Sequence, residues 1–178
     1  MMRPPFYVIT GASGAGKSTL IAEFDELGYS TVPEAALAVM REQLAGNSKI
    51  LPSGDRTLFM QEVLARSIQD YDKARCLKAP VFFDRGIPEW LRFLDSSEDK
   101  DNAISQRYRY AKTVFVAEPW PEIYVSDHAR VHSFEKAARS YGPTILPYVE
   151  MGYEICLIPK LSVKERAAFI LSRVASGV

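Results

Sequence analysis

The eight residues Gly11-Ala12-Ser13-Gly14-Ala15-Gly16-Lys17-Ser18 restrict this chain more than any other stretch. They fill every fixed position of G-x-x-x-x-G-K-[ST], the spacing of a phosphate-cradling loop. Glycines there permit a tight curl in which successive N–H groups point inward at anionic oxygens. In that arrangement Lys17 reaches terminal phosphates and the Ser18 hydroxyl is offered to Mg²⁺. A flexible loop could match the spacing by chance, so its flanks matter. Ahead of it, Phe6-Tyr7-Val8-Ile9-Thr10 is apolar and β-favouring, as a buried parallel strand is. Behind it, Leu20, Ile21, Phe24 and Leu27 recur on one helical face, and Gly28 stands where a C′ glycine ends a helix. Strand, glycine loop and helix is the order the chemistry needs. The helix N-terminus adds a partial positive charge beneath the phosphates. Gly11 through Ser18, with Thr19 next to them, are the expected nucleotide contacts.

The rest of the chain alternates strand and helix patterns, which predicts an α/β sheet with helices on both faces. Further strands are expected at 29–32, 81–83, 113–117 and 153–158. A helix opened by Pro33 carries an Ala36/Leu37, Met40, Leu44 stripe, and a longer one spans 55–73 with Met60, Val63/Leu64, Ser67/Ile68 and Tyr71 on one side. Residues 46–54 read as a polar loop, 88–94 as a short helix, 95–102 as an acidic loop and 103–111 as a helix. Ser162-Val163-Lys164-Glu165 fits a capping box that opens a last helix. The segment 118–152 is long and carries Pro119, Pro121, Pro143 and Pro147, so a single straight helix is not expected there. Long insertions at the carboxyl edge of such a sheet are where lids occur, so 118–152 is read as a lid within one domain spanning 1–178.

Ligands of an open parallel sheet lie beyond the carboxyl ends of its strands. Glu34 and the pair Asp84-Arg85 fall there with the glycine loop. Asp84 follows Val-Phe-Phe, where a carboxylate can hold Mg²⁺ directly or through water; otherwise it is a helix N-terminal aspartate. Arg85 is either a forked clamp on a phosphate or carboxylate, or a surface ion pair. Glu34 is either a base facing an acceptor hydroxyl or a first-turn glutamate on a helix dipole. Within 118–152, Arg130 is a candidate for stabilising transition-state charge, against a solvated basic helix face. His128 and His132 have the i, i+4 spacing of a metal pair, but no third ligand supports it. Trp90 and Trp120 could stack on a base, with packing the plainer reading.

Charge excludes more than it reveals. Lys plus Arg and Asp plus Glu both number 22, so there is no global electrostatic reason to bind nucleic acid or an anionic membrane. No apolar run reaches membrane-spanning length, and no signal peptide is expected, because Phe6–Thr10 is too short for its apolar region. Cys76 and Cys156 do not have metal-pair spacing, and a reducing cytoplasmic setting is expected.

The phosphate loop, Val32-Pro33-Glu34-Ala35-Ala36, Asp84-Arg85-Gly86-Ile87-Pro88, Glu118 through Tyr124, Asp127 through Arg130, Gly152-Tyr153-Glu154 and Pro159 through Arg166 together resemble the NadR-like class of AAA/P-loop ATPase domains, relatives of nucleoside and nucleotide kinases. The resemblance spans nearly the whole chain. It implies a three-layer P-loop NTPase fold with a five-stranded parallel sheet and a helical lid between the fourth and fifth strands. It also makes Asp84-Arg85 comparable to the acidic-Arg pair after the third strand of nucleoside kinases, and Arg130 comparable to a lid arginine. The function expected from these readings is a Mg²⁺-dependent kinase that uses ATP, with GTP left open. It would transfer the γ-phosphate to a hydroxyl of a nucleoside-like or other small acceptor. The alternative is a nucleotide-switched regulatory ATPase or GTPase-like module with no small-molecule acceptor. Neither the acceptor nor the oligomeric state follows from the residues.

Overall fold

A computed structural model describes residues 5–45, 55–91, 98–124 and 134–177. Five strands form one all-parallel sheet: β1 (Phe6–Gly11), β2 (Ser30–Val32), β3 (Val81–Asp84), β4 (Thr113–Ala117) and β5 (Glu154–Leu157), in the order β2-β3-β1-β4-β5. The helices among the described residues are α1 (Lys17–Glu26), α2 (Ala35–Ala45), α3 (Arg56–Ala74), α4 (Pro88–Leu91), α5 (Glu98–Arg107), α6 (Phe134–Glu150) and α7 (Val163–Ala175), with a 3₁₀ turn at Pro121–Ile123. The α/β sheet is the one expected from the alternation of patterns, and its five parallel strands are those the family resemblance implied.

The three inner strands are buried almost throughout, which is why their sequences are continuous apolar runs rather than alternating ones. Two apolar clusters lie on the two faces. One packs α3, α4 and the end of α6 against Phe6, Val8, Phe83 and Val114; the other packs α1 and α7 against Ile9, Phe82 and Phe115. Phe24 of α1 stacks on Phe82 of β3 at 4.0 Å between ring centroids. Register places the site. Ile9 pairs with Asp84 of β3 and with Phe115 of β4, so the glycine loop and Asp84 leave the sheet side by side at its carboxyl edge.

Several local expectations need correction. Leu27 is half exposed because α1 ends at Glu26, where Gly28 (φ +81°) and Tyr29 close a Schellman turn with N–H bonds to Asp25 and Phe24. In α2 the buried residues are Ala35 and Val39, not Leu44, which is exposed. Residues 98–102 belong to α5, not to a loop, and the helix ends at Arg107 rather than running to 111. α6 runs 17 residues through both Pro143 and Pro147. Its end packs on the sheet, with Tyr148 fully buried, so this part of the expected lid span lies in the body of the domain. The polar loop at 46–54, together with Asp127, His128, Arg130 and His132, lies outside the described residues.

Candidate nucleotide site

The glycine loop is held in place from its rear. Gly11 adopts φ +125°, and a Cβ there would sit 2.0 Å from the Ala117 carbonyl oxygen, so only glycine lets β1 pass the end of β4 this closely. The Ala12 N–H donates to that same carbonyl at 3.0 Å. Gly14 and Gly16, at φ +74° and +76°, turn the chain into α1. Ser13, Gly14, Gly16, Lys17, Ser18 and Thr19 line a cleft of about 340 Å³, walled opposite by Glu34, Leu37, Met40, Arg41 and Arg85. Gly11, Ala12 and Ala15 do not line it; Ala12 and Ala15 are buried behind it.

Lys17 is the first residue of α1 and is almost wholly buried. Its Nζ donates to the Ala12 carbonyl at 2.6 Å. Burial, followed by the nearby Arg85 charge, lowers its pKa to about 8, against the pull of Asp84, Glu34 and Glu89. Ser18 Oγ donates to Asp84 Oδ2 at 3.0 Å. Asp84 is 4% exposed, and its Oδ1 is buried with no hydrogen-bond partner among the described residues. Burial, with Glu34 second, raises its pKa. A hydroxyl and a carboxylate presenting hard oxygens, one of them unsatisfied, suit a cation that takes its remaining ligands from water and phosphate, as Mg²⁺ does.

Arg85 is the one non-glycine residue with positive φ among those described, at 68°. Such a conformation costs about 1–2 kcal/mol and persists where the surroundings over-determine it. Here its N–H donates to Ile9 O at 3.0 Å and its Nη1 donates to Glu89 Oε2 at 2.8 Å. Its Nε lies 3.4 Å from Glu34 Oε1, within ion-pair range but outside hydrogen-bond geometry. Burial works against the guanidinium charge, but Glu89, Glu34 and Asp84 outweigh it and raise the Arg85 pKa.

The sequence reading missed two residues that this geometry makes central. Glu89 is a buried carboxylate holding three donors: Thr10 Oγ1 at 2.5 Å, the Tyr148 hydroxyl at 2.9 Å and Arg85. The Tyr148 hydroxyl in turn accepts from the Gly86 N–H at 2.9 Å, an approach that a Cβ on Gly86 would obstruct at 2.8 Å. The four-residue separation of Arg85 and Glu89 was the available signal, with Arg85 ahead of α4 and Glu89 on it. The second is Arg166 of α7, whose Nη1 donates to Ala15 O at 3.2 Å on the rear of the loop. No local pattern marks it. Of the tryptophans, Trp90 is buried in the core, and Trp120 lies under the Arg166 guanidinium.

Solved structures share this architecture at low sequence identity. The chain is similar to deoxyadenosine kinase from M. mycoides with bound dATP, at 17% identity and a TM-score of 0.55, covering 96% of this chain and 98% of that one. It is similar to shikimate kinase from Acinetobacter baumannii in complex with shikimate, at 15% identity and a TM-score of 0.56, covering 97% and 94%. Shikimate kinase from Aquifex aeolicus matches at 13% identity and a TM-score of 0.54, with 96% of each chain covered. At these identities the structural likeness shows a shared fold alone. No curated protein sequence matches the chain. The sequence profile of the AAA domain matches residues 6–166, from the first residue of β1 to the arginine behind the glycine loop. With a P-loop fold and a match over most of its length, the chain belongs to the AAA domain family.

Proposed function

We propose that the protein is a Mg²⁺-dependent, ATP-using small-molecule kinase. The observation that carries this reading is the meeting of Lys17, Ser18 and the Glu34–Arg85 pair around one cleft at the carboxyl edge of the sheet, with Asp84 of the adjoining recess hydrogen-bonded to Ser18. Ser18 and Asp84 would hold Mg²⁺, which when bound neutralises phosphate charge. The glycine-loop amides and Lys17 would bind the β- and γ-phosphates of ATP, with GTP as the other candidate nucleotide. Arg85, aimed into the cleft by Glu89 and its backbone, would orient the transferred group. Glu34 would accept the acceptor hydroxyl's proton. The catalytic contribution is then positioning and charge neutralisation, the main requirement of phosphoryl transfer. Arg130 is proposed to add a cation from the segment after β4.

Space favours one location for the acceptor. Behind Arg85, between Asp70, Trp90 and Tyr110, the cavity is about 10 Å³, room for on the order of one water. A recess of about 350 Å³ instead opens between α1 and α2, lined by Asp25, Thr31, Glu34, Leu37, Arg41 and Asp84. An acceptor there would present its hydroxyl to Glu34 and Asp84. The test is a turnover screen of nucleosides, ribosides, sugars and hydroxy acids with Mg²⁺-ATP. A phosphorylated acceptor that disappears with Glu34→Gln is the expected result. Nucleotide binding without phosphorylation across the panel would leave a nucleotide-switched module instead.

A further inference from the structure

Arg166 is a charge in the wrong place for a purely structural residue. It is 5% exposed, and no carboxylate pairs with it among the described residues. Its Nε is buried with no hydrogen-bond partner there, and burial lowers its pKa. A buried cation without a counter-charge is disfavoured, which calls for a partner that carries negative charge. Two contacts hold it: the Trp120 ring, 5.6 Å from the guanidinium carbon, and the Ala15 carbonyl.

The Ala15 contact reaches the phosphate face through one peptide. In a trans peptide the C=O and N–H point in opposite directions. With Ala15 O turned outward to Arg166, the N–H of Gly16 is turned away from Arg166, and Gly16 lines the cleft. That peptide is able to flip. Gly16 sits at φ +76° and, as glycine, tolerates the rotation that would reverse it. A reversed peptide would aim a carbonyl oxygen where a donor is needed. The guanidinium also packs directly on Gly16, where a Cβ would meet both Nη atoms at 3.0 Å.

We propose that Arg166 is a positioning residue of the phosphate site: it locks the Ala15–Gly16 peptide with its N–H toward the nucleotide, and the bound polyphosphate supplies its missing counter-charge. The proposal rests on the reading of the cleft as a nucleotide site. A charge-assisted hydrogen bond on the carbonyl also strengthens the donor at the other end of the same peptide.

The experiment is calorimetric titration of the full chain with Mg²⁺-ATP, for wild type, Arg166→Gln, Arg166→Lys and Lys17→Ala, at two salt concentrations. Arg166→Gln keeps a donor but loses the charge, and is expected to weaken binding about 10- to 100-fold, with a shallower salt dependence. Arg166→Lys is expected to stay within about tenfold of wild type by restoring the charge. Wild-type binding that is lost in Lys17→Ala yet unchanged in Arg166→Gln would overturn this proposal alone. Wild type that binds no nucleotide would remove the nucleotide reading and this proposal with it. If Arg166→Gln does not fold, Arg166→Lys decides: binding within tenfold of wild type supports the charge role, and weaker binding contradicts it.

Discussion

Lys17 shows at the residue scale what burial beside other charges does. Its pKa is lowered from 10.5 to about 8, so its charge is present at neutral pH and lost as pH rises through about 8. Polyphosphate binds the charged form. Affinity for ATP is therefore expected to be flat with respect to this group below about pH 7 and to fall above pH 8 by up to tenfold per unit. Titrations from pH 6.5 to 9.5 check this, and affinity rising across that range would contradict it. Lys17, Ser18, Asp84 and Arg85 were legible in the sequence because each sits in a local pattern, either a motif or the end of an apolar strand. Tyr148 was not, and Glu89 had only its spacing to Arg85 to mark it, because their other partners are far along the chain. Thr10 and Glu89 are 79 residues apart, and Tyr148 and Glu89 are 59 apart. Arg166 and Ala15 are 151 apart. Nothing in the spacing of a sequence marks a hydrogen bond of that reach.

At the scale of elements, the glycines separate into those that need space and those that need only a dihedral angle. Gly11→Ala would drive a Cβ to 2.0 Å from the backbone of β4, where no side chain can yield. It is expected to cost more than about 4 kcal/mol and to leave little folded protein. Gly28→Ala meets nothing within 4 Å, and at φ +81° it is expected to cost only about 1–2 kcal/mol. Thermal or urea unfolding of the two variants checks this ordering, and equal stabilities would contradict it. The inner strands were legible almost to the residue because buried parallel strands are unbroken apolar runs; β4 spans 113–117 as expected. α7 was legible from its capping box, in which the Ser162 Oγ accepts from the Glu165 N–H and the Glu165 carboxylate accepts from the Ser162 N–H. The start of α5 was not, because Glu98-Asp99-Lys100-Asp101-Asn102 has no apolar residue for periodicity to register. α6 was not picked out within 118–152, because the prolines argued only against one straight helix over the whole span. Pro143 and Pro147 stand four apart and so share one face, and the helix continues because Thr144, Pro147 and Tyr148 are buried against the domain.

At the scale of the whole molecule, the order β2-β3-β1-β4-β5 puts β1 at the centre of the sheet, with β3 and β4 on either side. The glycine loop after β1 therefore has Asp84 and Arg85 on one flank and the β4 end with Trp120 on the other. Arg166 reaches it from behind through α7, which packs against α1 in the cluster on that face. No helix among the described residues is long and apolar enough to cross a membrane. The central claim is that Lys17, Ser18 and Asp84 form one Mg²⁺-nucleotide site. Its most direct test is an equilibrium titration of ATP with and without Mg²⁺ on wild type, Lys17→Ala and Asp84→Asn. Wild type is expected to bind more tightly with Mg²⁺, Asp84→Asn to lose most of that enhancement while still binding nucleotide, and Lys17→Ala to lose tight binding with its fold intact. Affinity that is unchanged in Lys17→Ala would contradict the account.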